Sequence, residues 1–244
     1  MKTIILCCLL MMTLFGCEDT ENPKISETEK PKIEKPVFQD IFPEFEPEPE
    51  INPEDLVTGF SKCRPYYVLI IKANRYYWGH DDYIAATMAQ MYTESACDRF
   101  AKSWVGAEGL LQFMPRTAAG LQLTAKCDIG INADPYNLKW ITMAGVCYNK
   151  YLYNRNYEFP LVCDRYAAAM SAYNGGQKYV NVKREKCSGG CDATKWFNNV
   201  EYMATRRKPS NEHENRQYPH RVLKKFTPKF IESGYIGKDL CIGR

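Results

Sequence analysis

The chain has 244 residues, of which 45% are hydrophobic and 25% charged, and its net charge is +3. This is an ordinary globular composition, and the length excludes more than one sizeable core or two small ones. Eleven cysteines are many for a cytosolic enzyme, where thiols are kept reduced.

The N-terminus supplies a redox context. MKTIILCCLLMMTLFGC opens with one cation, Lys2, followed by an apolar run and a small residue ahead of Cys17. That is a secretory leader pattern, too short and wrongly flanked for a membrane span. Leu14-Phe15-Gly16-Cys17 resembles a bacterial lipobox, although Phe15 is an unusual occupant. The resemblance implies a signal peptide over 1–17, lipidation of Cys17 and Cys17 as first mature residue. A plain signal peptide cut near Gly16, or an uncleaved anchor, is the alternative. Glu18 stands where Asp is the inner-membrane retention signal, so the lipobox reading implies a periplasmic protein anchored in the outer membrane.

Residues 18–55 hold seven of the 14 prolines and 13 acidic against four basic residues, a net charge of −9. Proline blocks helix and central strand, and like charges extend the chain, so this segment reads as an acidic spacer. The remainder, 56–244, then carries +11. A basic exported domain suits an anionic polymer, and export argues against nucleic acid.

Eight cysteines fall in 56–244: Cys63, Cys97, Cys127, Cys147, Cys163, Cys187, Cys191 and Cys241. An even count in an exported domain points to up to four disulfides, with the connectivity open among about 105 pairings. Only Cys187 and Cys191 are closely spaced, and His80, His213 and His220 form no H-E-x-x-H pattern. No metal site and no cofactor are expected.

Helical signals dominate the basic part. Pro65 suits a first turn ahead of YYVLIIKANRYYW. Asp82 reads as an N-cap for YIAATMAQMYTES, in which Ile84, Met88, Met91 and Ser95 share one face. WITMAGVCYNKYLYN and RYAAAMSAYN are helical in spacing and Ala content. Long alternating runs are absent, so the fold class is mainly α with few short strands.

Near the end of the second of these helices, Glu94 follows Met91 and Tyr92. A carboxyl set against apolar groups has its charged form disfavoured, which raises its pKa toward what a general acid needs. Asp98 and Glu108 lie nearby but read as surface or capping groups. Ser95 reads equally as a helix-end cap or as part of a site.

Four short blocks then stand in order. Glu94-Ser95 is followed by Ser103 and by Gly109-Leu110-Leu111-Gln112-Phe113-Met114-Pro115. Asp134-Pro135 with Asn137, then Ala172-Tyr173-Asn174-Gly175-Gly176, and finally Glu214-Asn215-Arg216-Gln217-Tyr218 complete the series. From about 80 to 244 the chain resembles the soluble-type lytic transglycosylases, a lysozyme-like family. Leu111, Gly175 and Pro219 stand where that family usually has Met, Ala and Val, and the cysteine load exceeds its norm.

The resemblance implies a lysozyme-like catalytic domain over 56–244, braced by disulfides, that acts on peptidoglycan, whose free stem carboxylates suit the basic charge. Glu94 would be the sole acid and base. It would cleave the β-1,4 bond between N-acetylmuramic acid and N-acetylglucosamine and form a 1,6-anhydro end. Ser103, Gln112, Met114, Tyr173, Asn174, Glu214 and Tyr218 would bind substrate. Within that set, Ser103 is expected near Glu94 or the acetamido group, and the Tyr173 hydroxyl near the acid. Met114 is expected as apolar floor or core filler, and Glu214 on Tyr173 or on substrate. A disulfide at Cys97 would brace the end of the catalytic helix. A muramidase of the goose type, which transfers to water, and a wall-binding protein without activity are the alternatives.

Overall fold

Residues 60–243 are described by the computed structural model. The leader, the Cys17 lipidation position and the acidic spacer over 18–55 lie outside the described residues. A 3₁₀ turn over Ser61–Tyr66, with Pro65 inside it, leads into α1 (Tyr67–Trp78). There follow α2 (Ile84–Ser95), α3 (Pro115–Ala125), α4 (Leu138–Arg155), α5 (Val162–Gly175), α6 (Gln177–Cys187), α7 (Pro209–Pro219) and α8 (Thr227–Glu232). A π-helical turn over His220–Phe226 joins α7 to α8. β structure among the described residues is two isolated bridges, Lys102 with Glu108 and Glu108 with Phe113. The mainly α expectation is met.

One N-cap is corrected. Tyr83, not Asp82, occupies the N-cap of α2, and no side chain caps it. Asp82 is drawn away instead: its carboxylate takes the Lys238 ammonium at 2.9 Å and its carbonyl takes the Lys238 N–H at 2.9 Å. A long-range ion pair that also binds backbone has displaced the local cap.

The apolar stripe expected on α2 is also wider than its spacing indicates. All eight residues from Ile84 to Met91 are buried. A helix buried on every side must satisfy its polar groups internally. Thr87 donates its hydroxyl to the Tyr83 carbonyl at 2.9 Å, and Gln90 accepts from Asn149 of α4 at 2.6 Å.

The hub is α5. Ala167, Ala168 and Ala169 are fully buried in it, and their small side chains let α4, α6 and α7 pack close. α1 lies along α4, while α2 packs against the π-turn and α8. The loop before α7 is tied to α6 through Lys183, fully buried, which meets Glu212 at 3.1 Å and the Glu201 carbonyl at 3.1 Å.

All eight cysteines of the described residues pair: Cys63–Cys97, Cys127–Cys147, Cys163–Cys241 and Cys187–Cys191. Cys63–Cys97 joins the segment before α1 to the residue just past the end of α2, which is the brace expected there. The other pairs close separations of 20, 78 and 4 residues.

Loop-closure entropy ranks these bonds. In the chain-entropy model the 78-residue separation corresponds to about 4.5 kcal/mol and the four-residue one to about 2 kcal/mol. Replacing Cys163 and Cys241 together by Ala should therefore lower the melting temperature more than replacing Cys187 and Cys191 together. Thermal unfolding followed by circular dichroism checks the order; equal losses would contradict it.

Candidate active site

The site is built where α2 stops. Ala96 takes φ 51° and Cys97 φ 61°, so the chain turns sharply in the left-handed region that ends many helices. Ser95 locks this end to the next segment by donating its hydroxyl to the Leu110 carbonyl at 2.9 Å and the Met91 carbonyl at 3.2 Å. It is therefore more than a helix cap, since it also bridges α2 to the Gly109–Met114 loop.

That loop is held by its own backbone. Glu108 and Phe113 exchange N–H···O bonds of 3.0 Å each way, and Gly109 donates to the Ala101 carbonyl at 2.9 Å. Gly109 has φ +75°, and a Cβ there would lie 2.0 Å from the Pro135 carbonyl oxygen. Only glycine tolerates both that conformation and that approach, which explains why the Asp134-Pro135 block belongs to the same constellation. Gln112 has φ 47° and donates its amide to the Ala101 and Gly109 carbonyls at 3.1 and 2.9 Å.

Glu94, half-buried, lines a cleft of about 840 Å³. Tyr218 of α7, almost fully buried, donates its hydroxyl to Glu94 Oε1 at 2.5 Å. No other hydrogen-bond donor reaches this carboxylate among the described residues. Burial pushes the Glu94 carboxyl up to about 7, against the pull of the Tyr218 hydrogen bond and of the Arg221 charge, and the Glu214 charge adds to the rise. Burial, with the Glu94 charge next, holds the Tyr218 and Tyr173 hydroxyls well above the usual phenol range, so both remain donors.

Every site residue expected from sequence lines this cleft: Glu94, Ser103, Gln112, Met114, Tyr173, Asn174, Glu214 and Tyr218. Several contacts differ from expectation. The Ser103 hydroxyl accepts from the Ala107 N–H at 2.8 Å and makes no bond to Glu94, because it closes its own turn. The Tyr173 hydroxyl lies near the acid as expected, close enough to feel the Glu94 charge, but it donates to the Leu111 carbonyl at 2.7 Å and so supports the loop. Glu214 does not hold Tyr173; it accepts from Asn174 at 3.4 Å. Met114 is 42% exposed, hence cleft floor and not core filler. Glu108 pairs with Lys102 at 2.8 Å outside the cleft, and Asp98 accepts the Phe100 N–H in a local turn.

The sequence did not point to nine of the lining residues, and the charged or aromatic ones among them are Trp104, Arg207, Lys208 and Arg221. Arg221 follows Tyr218 by three residues on a continuous helical path, and that spacing was the available signal. Trp104 follows Ser103 directly and is 96% exposed, which is rare for so large an apolar group. Arg207 and Lys208 precede α7 and carried no local signal.

A family model described as "Transglycosylase SLT domain" matches residues 70–192. The match ends before Glu214 and Tyr218. Among solved structures, the 70 kDa soluble lytic transglycosylase of Escherichia coli is similar over 76% of this chain, with 20% identity and a TM-score of 0.52. The lytic transglycosylase Slt of Pseudomonas aeruginosa, solved as an inactive mutant, is similar over 72% at 18% identity and a TM-score of 0.49. The chain spans only 30% and 25% of the lengths of those two proteins. The first likeness shows a shared fold. No curated protein matches the chain.

The balance at Glu94 has a measurable sign. Its folded-state pKa of about 7 lies above the ordinary 4.5. The protonated group therefore contributes stability below the ordinary value, and that contribution is lost as pH rises through about 7. Glu94→Gln is neutral throughout, so its melting temperature relative to wild type should be higher at about pH 8 than at about pH 5. Tyr218→Phe removes a donor that favours the charged form and should raise the Glu94 midpoint by about one unit. Carbon-13 NMR of the labelled carboxyl reads the midpoint; a downward shift would contradict the assignment.

Proposed function

Because this chain belongs to the transglycosylase SLT domain family, we propose that it is a peptidoglycan lytic transglycosylase with Glu94 as its one acid and base. The observation that carries this reading is a half-buried carboxyl, raised to about 7, that lines a cleft and has a single hydrogen-bond donor among the described residues. A group with a pKa near the working pH is both protonated often enough to give a proton and basic enough to take one back.

The reaction uses that property twice. Neutral Glu94 gives its proton to the oxygen linking N-acetylmuramic acid to N-acetylglucosamine, and the bond from the anomeric carbon to that oxygen breaks. The substrate's 2-acetamido oxygen attacks the anomeric carbon and stabilises it. Glu94, now a carboxylate held by the Tyr218 hydroxyl, takes the proton of the sugar's 6-hydroxyl. The 6-oxygen closes the 1,6-anhydro ring as the acetamido oxygen leaves. Glu94 ends protonated and no water is consumed.

The walls of the cleft suit a sugar chain. Gln112 spends its amide N–H groups on the loop, which leaves its carbonyl oxygen as an acceptor for a sugar hydroxyl. Asn174 and Ser103 add polar groups, and Met114 and the Tyr173 ring form apolar floor. Trp104 and Val105 form an exposed apolar lip on which a sugar face can lie. The N-terminal leader pattern and Cys17 would hold this domain in the periplasm on a lipid anchor at the outer membrane. Labelled palmitate should be absent from Cys17→Ser.

Hydrolysis on the same fold is the second reading, and Glu214 in the same cleft gives it a second carboxylate. Product mass separates the two, since anhydro ends are one water lighter than hydrolysed ends. Muropeptides released from purified sacculi should carry anhydro ends, and reducing ends alone would overturn the transglycosylase reading.

Glu94→Gln should lower muropeptide release by about 10² to 10⁴ with folding intact, because general acid and base terms are of that size. Glu108→Gln, whose carboxylate pairs with Lys102 outside the cleft, should change the rate less than about twofold. Trp104→Ala should weaken binding of glycan strands while leaving the melt unchanged, since the side chain is 96% exposed. Retained activity in Glu94→Gln would remove the assignment.

A further inference from the structure

Tyr218 gives the one hydrogen bond that reaches Glu94 among the described residues, yet it stands where α7 cannot hold itself. Pro219 follows it directly, inside the helix. Proline has no N–H to give to the carbonyl four residues back, and its ring crowds that carbonyl. The next N–H, of His220, bonds the Gln217 carbonyl three residues back, and the π-helical turn begins there. Glu212 and Asn215 tie α7 to its neighbours ahead of this break. The turn that carries Tyr218 therefore needs a hold of its own.

Glu201 supplies one from outside the helix. It lies in a 3₁₀ turn, Val200–Tyr202, and its side chain is fully buried. Against the upward push of burial, bonds from His220 and the Asn198 N–H keep this carboxyl below its usual range. It is thus ionised and only accepts. Oε2 takes the His220 ring Nε2–H at 2.6 Å, and Oε1 takes the Asn198 N–H at 2.8 Å. The Glu201 carbonyl accepts from Arg216 Nε at 3.3 Å and from Lys183 Nζ at 3.1 Å. One residue therefore grips α7 two positions before Tyr218 and the chain two positions after it. The grip is rooted in the hub of the fold. Asp164 of α5, itself buried, accepts the Trp196 and Phe197 N–H groups at 3.0 and 3.2 Å, and the Trp196 carbonyl accepts the Glu201 N–H at 3.1 Å. The Phe197 ring also meets the His220 ring edge-on at 4.8 Å. A fully buried carboxylate is costly unless its bonds are complete, so this clamp favours one geometry.

We infer that Glu201 and His220 are a positioning pair for the reaction: by clamping the residues on either side of Tyr218, they keep its hydroxyl on Glu94. Neither lines the catalytic cleft, so their action on the acid passes through Tyr218. The inference rests on the reading of Glu94 as acid and base. Without the clamp the carboxylate form of Glu94 loses its donor, and Glu94 then keeps its proton to a higher pH.

The test reads the Glu94 midpoint in the full-length protein by carbon-13 NMR of the labelled carboxyl, beside a thermal melt. His220→Ala should raise the midpoint by about half a unit, part of the rise expected for Tyr218→Phe. Combined with Tyr218→Phe it should add no further rise, because the hydroxyl it positions is gone. His220→Gln can place an amide N–H where Nε2 stood and should restore most of the wild-type midpoint. His220→Asn is too short to do so and should resemble His220→Ala; it carries the comparison if the alanine variant does not fold. Glu201→Gln should raise the midpoint too, since its single amide oxygen cannot serve both the Asn198 N–H and the His220 ring. An unmoved midpoint in His220→Ala and His220→Asn, whatever the melt, would show a merely structural role and overturn the inference. An equal rise with and without the Tyr218 hydroxyl would overturn it as well. Muropeptide release by the wild-type protein is measured separately. Its absence would remove the acid and base reading, while the midpoints still decide whether the clamp acts on Glu94.

Discussion

The site depends on one constraint, a carboxyl held at the end of a helix that is buried on every side. α2 offers no solvent to its first eight residues, so Glu94 emerges at the boundary where the core stops. A helix end leaves backbone groups unsatisfied and frays unless something holds it. Here Cys97 is bonded to Cys63, Ser95 is bonded to the Leu110 carbonyl, and Ala96 and Cys97 take the left-handed turn. These three ties set where the carboxyl stands. Its surroundings then set its proton affinity, with burial acting upward and one phenol hydroxyl acting downward.

The remaining parts of the cleft are positioned by contacts distant in sequence. The Gly109–Met114 loop hangs from α2 through Ser95 and from α5 through Tyr173, whose hydroxyl takes up the Leu111 carbonyl. α7 is pinned to α5 by Asn215, which bonds Ser171 and Asn174 together, and to α6 by the buried pair of Lys183 and Glu212. Pinning α7 is what brings the Tyr218 hydroxyl to Glu94. Several motif residues therefore act on the site through backbone: they hold loop carbonyls or one another, and the groups left over face the cleft. Gln112 shows this division, with its N–H groups turned into the loop.

Charge is divided in the same way. The acidic excess of the chain lies in 18–55 and the basic excess in 56–244. Within the cleft the three cations Arg207, Lys208 and Arg221 form no ion pair among the described residues. The lone raised carboxyl sits among them, and its neutral form avoids the cost of a second buried charge.

Much of this was legible in the sequence. The mainly α class followed from apolar spacing and from Ala-rich segments, because helix periodicity is a local property. Glu94, Gln112, Tyr173, Asn174 and Tyr218 were legible because each stands in a short block of fixed order. The even cysteine count indicated paired bonds. Tertiary structure alone decided the pairing of those cysteines, the loss of the Asp82 cap to Lys238, and the partners of Ser103, Tyr173 and Glu214. It alone brought Arg207, Lys208, Arg221 and Trp104 to the cleft. The physical reason is common to all of these. Each depends on a contact between residues far apart in the chain, or on an exposure that neighbours in space set, and a local pattern of residue types carries neither. Glu94 shows both sides: its type and place on a helix end were written in the chain, while its pKa of about 7 comes from burial and from a tyrosine 124 residues away.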